Sequence, residues 1–411
     1  MDKIQIIPRN IYMDRIRPYI GKNIIKILTG QRRVGKSYLL RAVAEEISRN
    51  DASANIITIN LEDFAFSHIK DAETLHREII SRIVEGKRNC IFIDEIQEVE
   101  GFDKVVRSLI LDPSNDVYLT GSNSTMLSSE IASRLAGRSV EIRVHPLSYN
   151  EFLTFHGYED SDEALALFLE YGGLPYLVNL PDRRTWREYI TGVADAILYR
   201  DVVSRHNVRN TDFLQRLMLF FADNIGQLFT AKKIADFLKS QRMSISVSGV
   251  QTYAGYIEDA YLTDRVRRWD IEGKRFFEVG EKMFFEDLGI RNSVVGYRPD
   301  DIGGLMENVV YNQLRTDGYK VSVGALPKGR EVDFIAEKDG ECKYIQVAVT
   351  VAGGDTMERE FGNLVGIPDN YEKIVVTLRD SAPNTYAGIR MLTLRQFLQE
   401  EAKGEEELVN T

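Results

Sequence analysis

Residues 30–37 of this chain read Gly30-Gln31-Arg32-Arg33-Val34-Gly35-Lys36-Ser37, which matches the pattern G-x-x-x-x-G-K-[ST]. The run before it, 24–29, is rich in β-branched apolar residues, and apolar residues recur at helical spacing between positions 39 and 47. A strand, a glycine loop and a helix are the context in which this pattern holds phosphate, because the glycines let several backbone N–H groups point inward. The stretch therefore predicts a site for a nucleoside triphosphate.

The side chains of this loop have separate expected roles. We expect Lys36 to reach the β- and γ-phosphates and the hydroxyl of Ser37 to take a place on Mg²⁺, while the helix N-terminus adds partial positive charge. The predicted nucleotide-binding set is Gly30, Gln31, Arg32, Arg33, Val34, Gly35, Lys36, Ser37 and Tyr38. The alternative, a glycine-containing turn that matches by chance, is disfavoured by the regular flanks.

A second motif lies at 89–95, where the apolar run Asn89-Cys90-Ile91-Phe92-Ile93 ends in Asp94 and Glu95. This is a Walker B pattern, in which Asp94 holds Mg²⁺ through its waters and Glu95 polarises the attacking water. The alternative is a strand that simply leaves the sheet into a solvated acidic loop. Because the motif follows a phosphate loop, we predict a Mg²⁺-dependent ATPase.

Three further residues are candidates for the catalytic set. Ser122 follows the predicted strand 117–120 and could contact the γ-phosphate, or could cap the next helix. Arg134 and Arg138 lie near a predicted helix end. An arginine there either stabilises negative charge in the transition state, as an arginine finger, or compensates the helix dipole. The predicted catalytic residues are Glu95, Lys36, Arg138, Arg134 and Ser122, and the predicted metal-binding residues are Ser37 and Asp94.

Composition sets the broad class of the protein. The chain has 411 residues, 44% of them apolar, with two cysteines and a formal net charge of −10. No apolar run approaches the roughly 18 residues of a membrane helix, and the first residues lack the pattern of a secretion signal. We therefore expect a cytoplasmic protein without membrane contact. The negative charge disfavours bulk attraction to DNA and leaves only local basic patches for it.

Element order predicts the domain organisation and an α/β fold class. Strands alternate with helices through residue 148, which predicts a mostly parallel sheet covered on both faces. We expect a P-loop ATPase domain at 1–155, a helical lid or linker at 156–227, a winged helix at 228–297 and a C-terminal α/β domain at 298–411.

The predicted winged helix consists of helices at 231–238 and 246–262 and a hairpin formed by strands 263–269 and 275–285. Its second helix carries Glu258 and Asp259 and no basic residue, which disfavours phosphate contact. Basic residues lie beside it at Lys232, Lys233, Lys239, Arg242, Arg265, Arg267, Arg268, Lys274 and Arg275. DNA contact through the basic hairpin and docking of a protein partner both remain open.

The C-terminal elements follow the order αβββαβ, which matches a PD-(D/E)XK restriction-endonuclease-like core. An active site of that class needs carboxylates for Mg²⁺ and a lysine that activates water. Glu307 and Asp333 are candidate carboxylates, but the third strand offers Gln346 and Ala348 where a carboxylate-x-Lys is needed. We therefore predict that this domain is inactive as a nuclease.

The motifs together resemble those of prokaryotic AAA-type ATPases. The resemblance rests on 28–37, on Phe92-Ile93-Asp94-Glu95-Ile96-Gln97 and on Leu119-Thr120-Gly121-Ser122. The segments 135–138, 146–152, 171–175 and 331–334 are similar to the branch that carries a winged helix and a C-terminal domain of unknown function with an endonuclease-like fold. The resemblance implies ATP and Mg²⁺ binding at Lys36, Ser37 and Asp94, with Glu95 activating water, and it favours a homo-oligomeric ring.

Three functions follow from these features. The first is an ATP-hydrolysing switch or motor whose C-terminal domains contact DNA or a protein partner. The second is a nucleotide-gated protein-interaction module with little turnover. The third, disfavoured by Gln346 and Ala348, is a DNA nuclease.

Overall fold

The structure is a computed structural model that describes residues 7–124, 129–240, 242–243, 245–351, 361–379 and 385–400. The chain divides into two compact units, 1–145 with 259–261 and 146–258 with 262–411. Among the described helices, none has both the length and the apolar character needed to cross a membrane. The helix of the predicted αβββαβ order that the sequence places at 357–364 lies partly outside the described residues, and so does the acidic stretch after residue 400.

A five-stranded parallel sheet forms the centre of the first unit. Its strands are β1 (Ile25–Thr29), β2 (Asn55–Asn60), β3 (Asn89–Asp94), β4 (Asn115–Gly121) and β5 (Ser139–Arg143). They lie in the order β2-β3-β4-β1-β5, with Leu28 of β1 opposite Thr120 of β4. All neighbours are parallel, so the carboxyl ends of the strands share one edge. The predicted α/β fold class is confirmed.

Helices cover both faces of this sheet. They are α1 (Asn10–Ile16), α2 (Lys36–Asn50), α3 (Ala72–Ile80), α4 (Phe102–Leu109) and α5 (Ser129–Leu135). Leu28 packs in a core with α1 and α2, whereas its neighbours Ile25 and Ile27 pack in a second core with α3 and α4. Because both faces are covered, every residue of β1 is buried, which explains its nearly continuous apolar sequence.

The second unit begins with helices and a π-helix. Its helices are α6 (Tyr149–His156), α7 (Asp162–Tyr171), α8 (Arg183–Ala196), α9 (Thr211–Asp223), α10 (Ala231–Ser240), α11 (Val247–Asp259), α12 (Leu288–Val295) and α13 (Ile302–Thr316). A π-helix, Ile197–Ser204, continues α8. The helices predicted at 231–238 and 246–262 correspond to α10 and α11, whereas α12 was not predicted.

The segment 171–175 packs closely against two other segments of this unit. The N–H of Gly173 donates to a buried carboxylate oxygen of Asp287 at 2.7 Å, and the N–H of Leu147 donates to the carbonyl of Gly173 at 2.7 Å. A Cβ at Gly172 would lie 2.4 Å from the Asp287 carboxylate, and φ at Gly172 is 72°. The two glycines of this motif are therefore required by close packing and backbone conformation.

An eight-stranded mixed sheet completes the second unit. Its strands are β6 (Thr263–Asp270), β7 (Arg275–Phe285), β8 (Lys320–Ala325), β9 (Glu331–Lys338), β10 (Glu341–Ala348), β11 (Glu372–Thr377), β12 (Thr385–Tyr386) and β13 (Ile389–Thr393). The order is β12-β13-β11-β10-β9-β8-β6-β7.

The predicted wing hairpin, β6 with β7, belongs to this sheet because β6 pairs in parallel with β8, with Trp269 opposite Gly324. The hydrogen-bonded sheet thus extends across the domain boundary that was predicted between residues 297 and 298. The division into four domains, the winged helix and the endonuclease-like fold stay predictions.

Candidate functional site

The glycine loop lies after β1, at the edge where the carboxyl ends of the parallel strands meet. Backbone φ is positive at three of its positions, with 135° at Gly30, 72° at Arg33 and 98° at Gly35. A Cβ at Gly30 would lie 2.1 Å from the carbonyl oxygen of Val144, so no other residue fits there without displacing backbone. A loop with this alternation of backbone conformations can direct N–H groups into one concavity, as an anion requires.

Lys36 and Gln31 lie inside the loop. The Lys36 ammonium donates to the carbonyl oxygens of Gly30 and Gln31, each at 2.9 Å. The Gln31 side chain is fully buried, and within the described part of the chain neither of its amide atoms has a hydrogen-bond partner. A buried polar group without a partner is rare in a folded protein and fits a site that a ligand completes.

Asp94 ends β3 and faces the start of α2. Its carboxylate accepts hydrogen bonds from the hydroxyls of Thr120 and Ser37. Burial raises the pKa of Asp94 above its ordinary value, and these hydrogen bonds offset only part of that shift. A cation beside the two oxygen groups of Ser37 and Asp94 would favour the ionised carboxylate.

Glu95 is held in an unusual backbone conformation. Its φ is 57°, in the left-handed region, and its N–H donates to the hydroxyl of Thr120 at 2.9 Å. One oxygen of its carboxylate accepts from the hydroxyl of Ser122 at 2.9 Å and from the amide of Gln97. Burial by itself would raise the pKa of Glu95, but the charge of Lys36 and the hydrogen bonds from Gln97 and Ser122 outweigh it, so the pKa is lowered.

Several residues of this site were not predicted to have a role there. The sequence patterns predict no contact of Thr120 or Gln97 with the two acids. Arg9 is buried and donates to the carbonyl of Val34 in the loop and to that of His145, each at 2.9 Å. An arginine that stabilises a loop from a distant segment leaves no local pattern, so only the fold reveals it.

Two residues of the predicted nucleotide-binding set also have defined surroundings. Arg32 forms an ion pair with Glu62 at 3.0 Å, at the edge where the strands end. The Tyr38 ring is exposed and lies beside the guanidinium of Arg41, 5.7 Å from its carbon to the ring centre. Gly30 through Ser37 thus form the loop after β1 and the first residues of α2, and Tyr38 lies on the exposed surface of that helix.

Both candidate arginines make contacts away from the glycine loop. Arg134 pairs with Asp103 of α4 at 3.2 Å. Arg138 is exposed, and its carbonyl accepts the N–H of Ile25 at the start of β1. Since the glycine loop follows the other end of β1, Arg138 lies at the opposite edge of the sheet from that loop.

The side chains present fit Mg²⁺ with a nucleotide. Mg²⁺ prefers hard oxygen ligands, keeps several waters and usually takes one or two protein groups together with phosphate oxygens. Ser37 and Asp94 supply a hydroxyl and a carboxylate that already contact each other. Among the described residues, no group of three or more histidine, cysteine or acidic side chains is arranged to hold a metal ion.

Comparison with known proteins agrees with this geometry. Residues 22–153 match the family model described as an AAA domain, and residues 162–301 match that of a domain of unknown function. A Walker-type ATPase of Pyrococcus abyssi superposes with a TM-score of 0.52 at 16% identity, over 71% of this chain and 96% of that one. That similarity confirms the P-loop ATPase fold.

Two relatives of similar length are known from other organisms. An uncharacterised protein of Haemophilus influenzae is 34% identical over 96% of this chain and 98% of its own length. An uncharacterised protein of Methanocaldococcus jannaschii is 31% identical over 81% of this chain and 75% of its own length. The predicted AAA-type identity is confirmed, and the chain belongs to the family of these two relatives, with an AAA domain of P-loop fold at residues 22–153.

Proposed function

We propose that the first unit binds ATP with Mg²⁺ and hydrolyses it, and that the chain acts as a nucleotide-driven switch or motor. The observation that carries this proposal is the convergence of Lys36, Ser37, Asp94, Glu95 and Ser122 at the carboxyl edge of one parallel sheet. Open α/β sheets bind ligands at this edge. The buried amide of Gln31 supports the assignment.

Each side chain has a distinct part in the proposed hydrolysis. Lys36 leaves the carbonyls of Gly30 and Gln31 and neutralises phosphate charge, while Ser37 and Asp94 hold the cation. Bound Mg²⁺ would neutralise charge developing on the β- and γ-phosphate oxygens. Glu95, whose lowered pKa keeps it ionised near neutral pH, orients the attacking water and accepts its proton.

The proposal is tested by Mg²⁺-dependent phosphate release from ATP. Lys36→Ala should abolish nucleotide binding, because it removes the cation that faces the phosphates. Glu95→Gln should bind ATP but release phosphate at least about 10²-fold more slowly, since the amide cannot accept a proton. Binding is followed with a fluorescent ATP analogue and turnover by phosphate release.

Glu98→Gln provides the matched control, since Glu98 lies just beyond the site in the same loop. It should leave both binding and turnover near their wild-type values. Hydrolysis by Glu95→Gln at the wild-type rate would show that the assigned base is wrong. An unchanged affinity in Lys36→Ala would remove the nucleotide site itself.

One observation favours the second candidate, a nucleotide-gated interaction module with little turnover. Ser122 and Gln97 both donate to one oxygen of the Glu95 carboxylate, which leaves only the other oxygen to orient a water. If that oxygen is not aligned with the attacking water, the protein stays loaded and acts by binding partners. An ATP-dependent change in oligomeric state with negligible phosphate release would favour this candidate.

We further propose that the second unit engages a protein partner rather than DNA. Arg265 of the hairpin forms an ion pair with Glu258 at 2.7 Å, and Arg268 pairs with Glu331 at 3.4 Å. These pairs neutralise two of the basic side chains that were candidates for contact with DNA phosphates. Arg267, Lys274 and Arg275 remain exposed on the hairpin.

Phosphate release is therefore measured with and without duplex, branched and single-stranded DNA. Stimulation that falls with salt would support DNA instead, with a log–log slope of about −3 if the three exposed cations contact phosphates. Replacing Arg267, Lys274 and Arg275 by alanine should then remove the stimulation, whereas Lys239→Ala should not. A flat response to all three DNAs supports the protein partner.

A further inference from the structure

A buried charged cluster in the second unit joins three of its elements. The Lys282 ammonium on β7 lies 2.8 Å from Oε2 of Glu307 on α13 and 3.1 Å from Oδ1 of Asp333 on β9. The side chains of Lys282 and Asp333 are only 4% and 9% exposed. The two carboxylates are the ones that the sequence marked as candidate metal ligands, and the structure brings them together around one cation.

A backbone N–H group of strand β10 also contacts this cluster. The second oxygen of Asp333 accepts the N–H of Val347 on β10 at 2.9 Å. The backbone of β10 thus satisfies one oxygen of the Asp333 carboxylate, while Lys282 contacts the other.

The ammonium of Lys282 is strongly held in its charged form. Burial alone would lower the pKa of Lys282, but attraction by Asp333 and Glu307 outweighs burial and the pKa is raised. Burial and repulsion from Asp333 raise the pKa of Glu307, and the ammonium offsets part of that shift. Two buried carboxylates this close need a positive charge or a proton between them.

We propose that Lys282 occupies the cation position of a divalent-metal site formed by the carboxylates of Glu307 and Asp333. The ammonium lies between carboxylate oxygens, the ligands that Mg²⁺, Mn²⁺ and Ca²⁺ prefer. Lysine is a compact point charge and can take the electrostatic place of such an ion. The wild-type site is therefore closed to metal, and removal of the ammonium opens it.

The position of Lys282 determines whether this cluster can support metal-dependent hydrolysis. An ammonium bound to two carboxylates cannot also deprotonate or orient a water, and no cation is left to polarise a phosphodiester. Lys282 is thus a further reason, beside Gln346 and Ala348, to predict that this cluster does not cleave DNA with a metal ion. The inference does not depend on ATP hydrolysis by the first unit, because it concerns residues of the second unit alone.

The test is Mn²⁺ binding to the full-length chain without nucleotide, measured by electron paramagnetic resonance and thermal unfolding. Lys282→Met preserves the length of the side chain and removes its charge. This variant should bind an additional Mn²⁺ per chain relative to wild type, and Mn²⁺ should raise its melting temperature. In Lys282→Met/Asp333→Asn, which keeps the P-loop intact as an internal control, Mn²⁺ affinity should fall by about tenfold or more.

Two results would overturn the proposal. One is a Lys282→Met variant that binds no additional Mn²⁺. The other is wild-type protein that binds Mn²⁺, or cuts plasmid DNA with it, in a manner lost in Asp333→Asn, which would show an open metal site. If Lys282→Met is insoluble, it is refolded from urea with and without Mn²⁺; recovery only with Mn²⁺ supports the inference, and failure in both contradicts it.

Discussion

Gly30 leaves β1 with φ of 135°, and an added Cβ would lie 2.1 Å from the carbonyl oxygen of Val144. This position therefore combines a backbone conformation that disfavours L-residues with a contact that cannot yield by side-chain rotation. Glu95, in contrast, adopts φ of 57° with its side chain in place and is secured by Thr120, Ser122 and Gln97. Such local strain persists only where surrounding contacts determine it, which is typical of functional sites.

Gly30→Ala should destabilise the first unit by about 3 kcal/mol, from positive φ together with overpacking against backbone. It should also weaken nucleotide binding, since the loop must open to accept the methyl group. Urea unfolding and titration with an ATP analogue measure the two effects. Gly192→Ala, in α8 with open space around it, is the control and should change stability by no more than about 1 kcal/mol. Equal effects of the two substitutions would contradict this account.

Sequence motifs identified Lys36, Ser37, Asp94 and Glu95 because each belongs to a short pattern with a chemical requirement. They did not identify Thr120 as a contact of Asp94 and Glu95, which it reaches from the neighbouring strand β4. Arg9, which donates to Val34 from 25 residues away, is a similar case. Partners of this kind depend on strand order and register, which no local pattern encodes.

At the scale of elements, strands β1 and β4 are joined by a buried ion pair. Lys26 of β1 pairs with Asp116 of β4, and Asp116 also accepts from Arg88 at 2.5 Å and from the hydroxyl of Tyr118 at 2.9 Å. The Lys26 side chain is fully buried in β1, beside apolar residues Ile25 and Ile27. The pair therefore lies where β1 and β4 must align for the phosphate loop to face Asp94 and Glu95.

Lys26→Met should lower the free energy of unfolding by about 3 kcal/mol, because it leaves the buried Asp116 carboxylate with less compensating charge. The measurement is urea unfolding of the intact chain, followed by circular dichroism. Lys22→Met, at an exposed position just before β1, should change stability by less than about 0.5 kcal/mol. A loss in Lys26→Met as small as this control would mean that the pair adds nothing to the sheet.

The C-terminal end of α6 carries a histidine with a depressed pKa. His156 packs between the rings of Phe152, Tyr158 and Trp186, and burial lowers the pKa of His156 to about 4. In the unfolded chain His156 binds a proton near pH 6.5, whereas in the folded chain it does so only near pH 4. Stability from this residue is therefore complete above about pH 6.5 and falls as pH decreases toward 4.

His156→Phe should remove this part of the pH dependence while keeping an aromatic ring in the cluster. Between pH 7.5 and pH 4.5, wild type should lose about 2 kcal/mol more stability than the variant, after allowance for partial exposure of the ring. The comparison uses urea midpoints of both proteins at each pH. Parallel pH profiles for the two proteins would show that His156 is solvated in the folded state.

At the scale of the whole molecule, the position of Arg138 bears on assembly. Its carbonyl accepts the N–H of Ile25 at the start of β1, whereas the phosphate loop follows the end of that strand. Its own nucleotide is therefore at the other edge of the sheet. We propose that Arg138 acts as an arginine finger on the nucleotide bound by a neighbouring copy. This role requires a homo-oligomer.

Arg138→Ala should lower turnover by about 10³-fold or more, as expected for loss of a finger, with ATP binding intact. Mixing Arg138→Ala with Lys36→Ala should partly restore activity, because a wild-type arginine then faces a wild-type loop at some interfaces. Phosphate release of the mixture against each variant alone is the readout, and Arg134→Ala serves as the comparison. No restoration by mixing would contradict a finger that acts between copies.

The sequence by itself determined the phosphate loop, the acids that follow β3 and the alternating strands and helices of the first unit, because each depends on local spacing and side-chain chemistry. It also indicated the separate elements α10, α11, β6 and β7. Only the tertiary structure decided that the hairpin of β6 and β7 joins β8 in one sheet, and that Lys282 meets Glu307 and Asp333. Strand order and buried charge pairing join residues far apart in the chain, so their energies depend on which elements pack together.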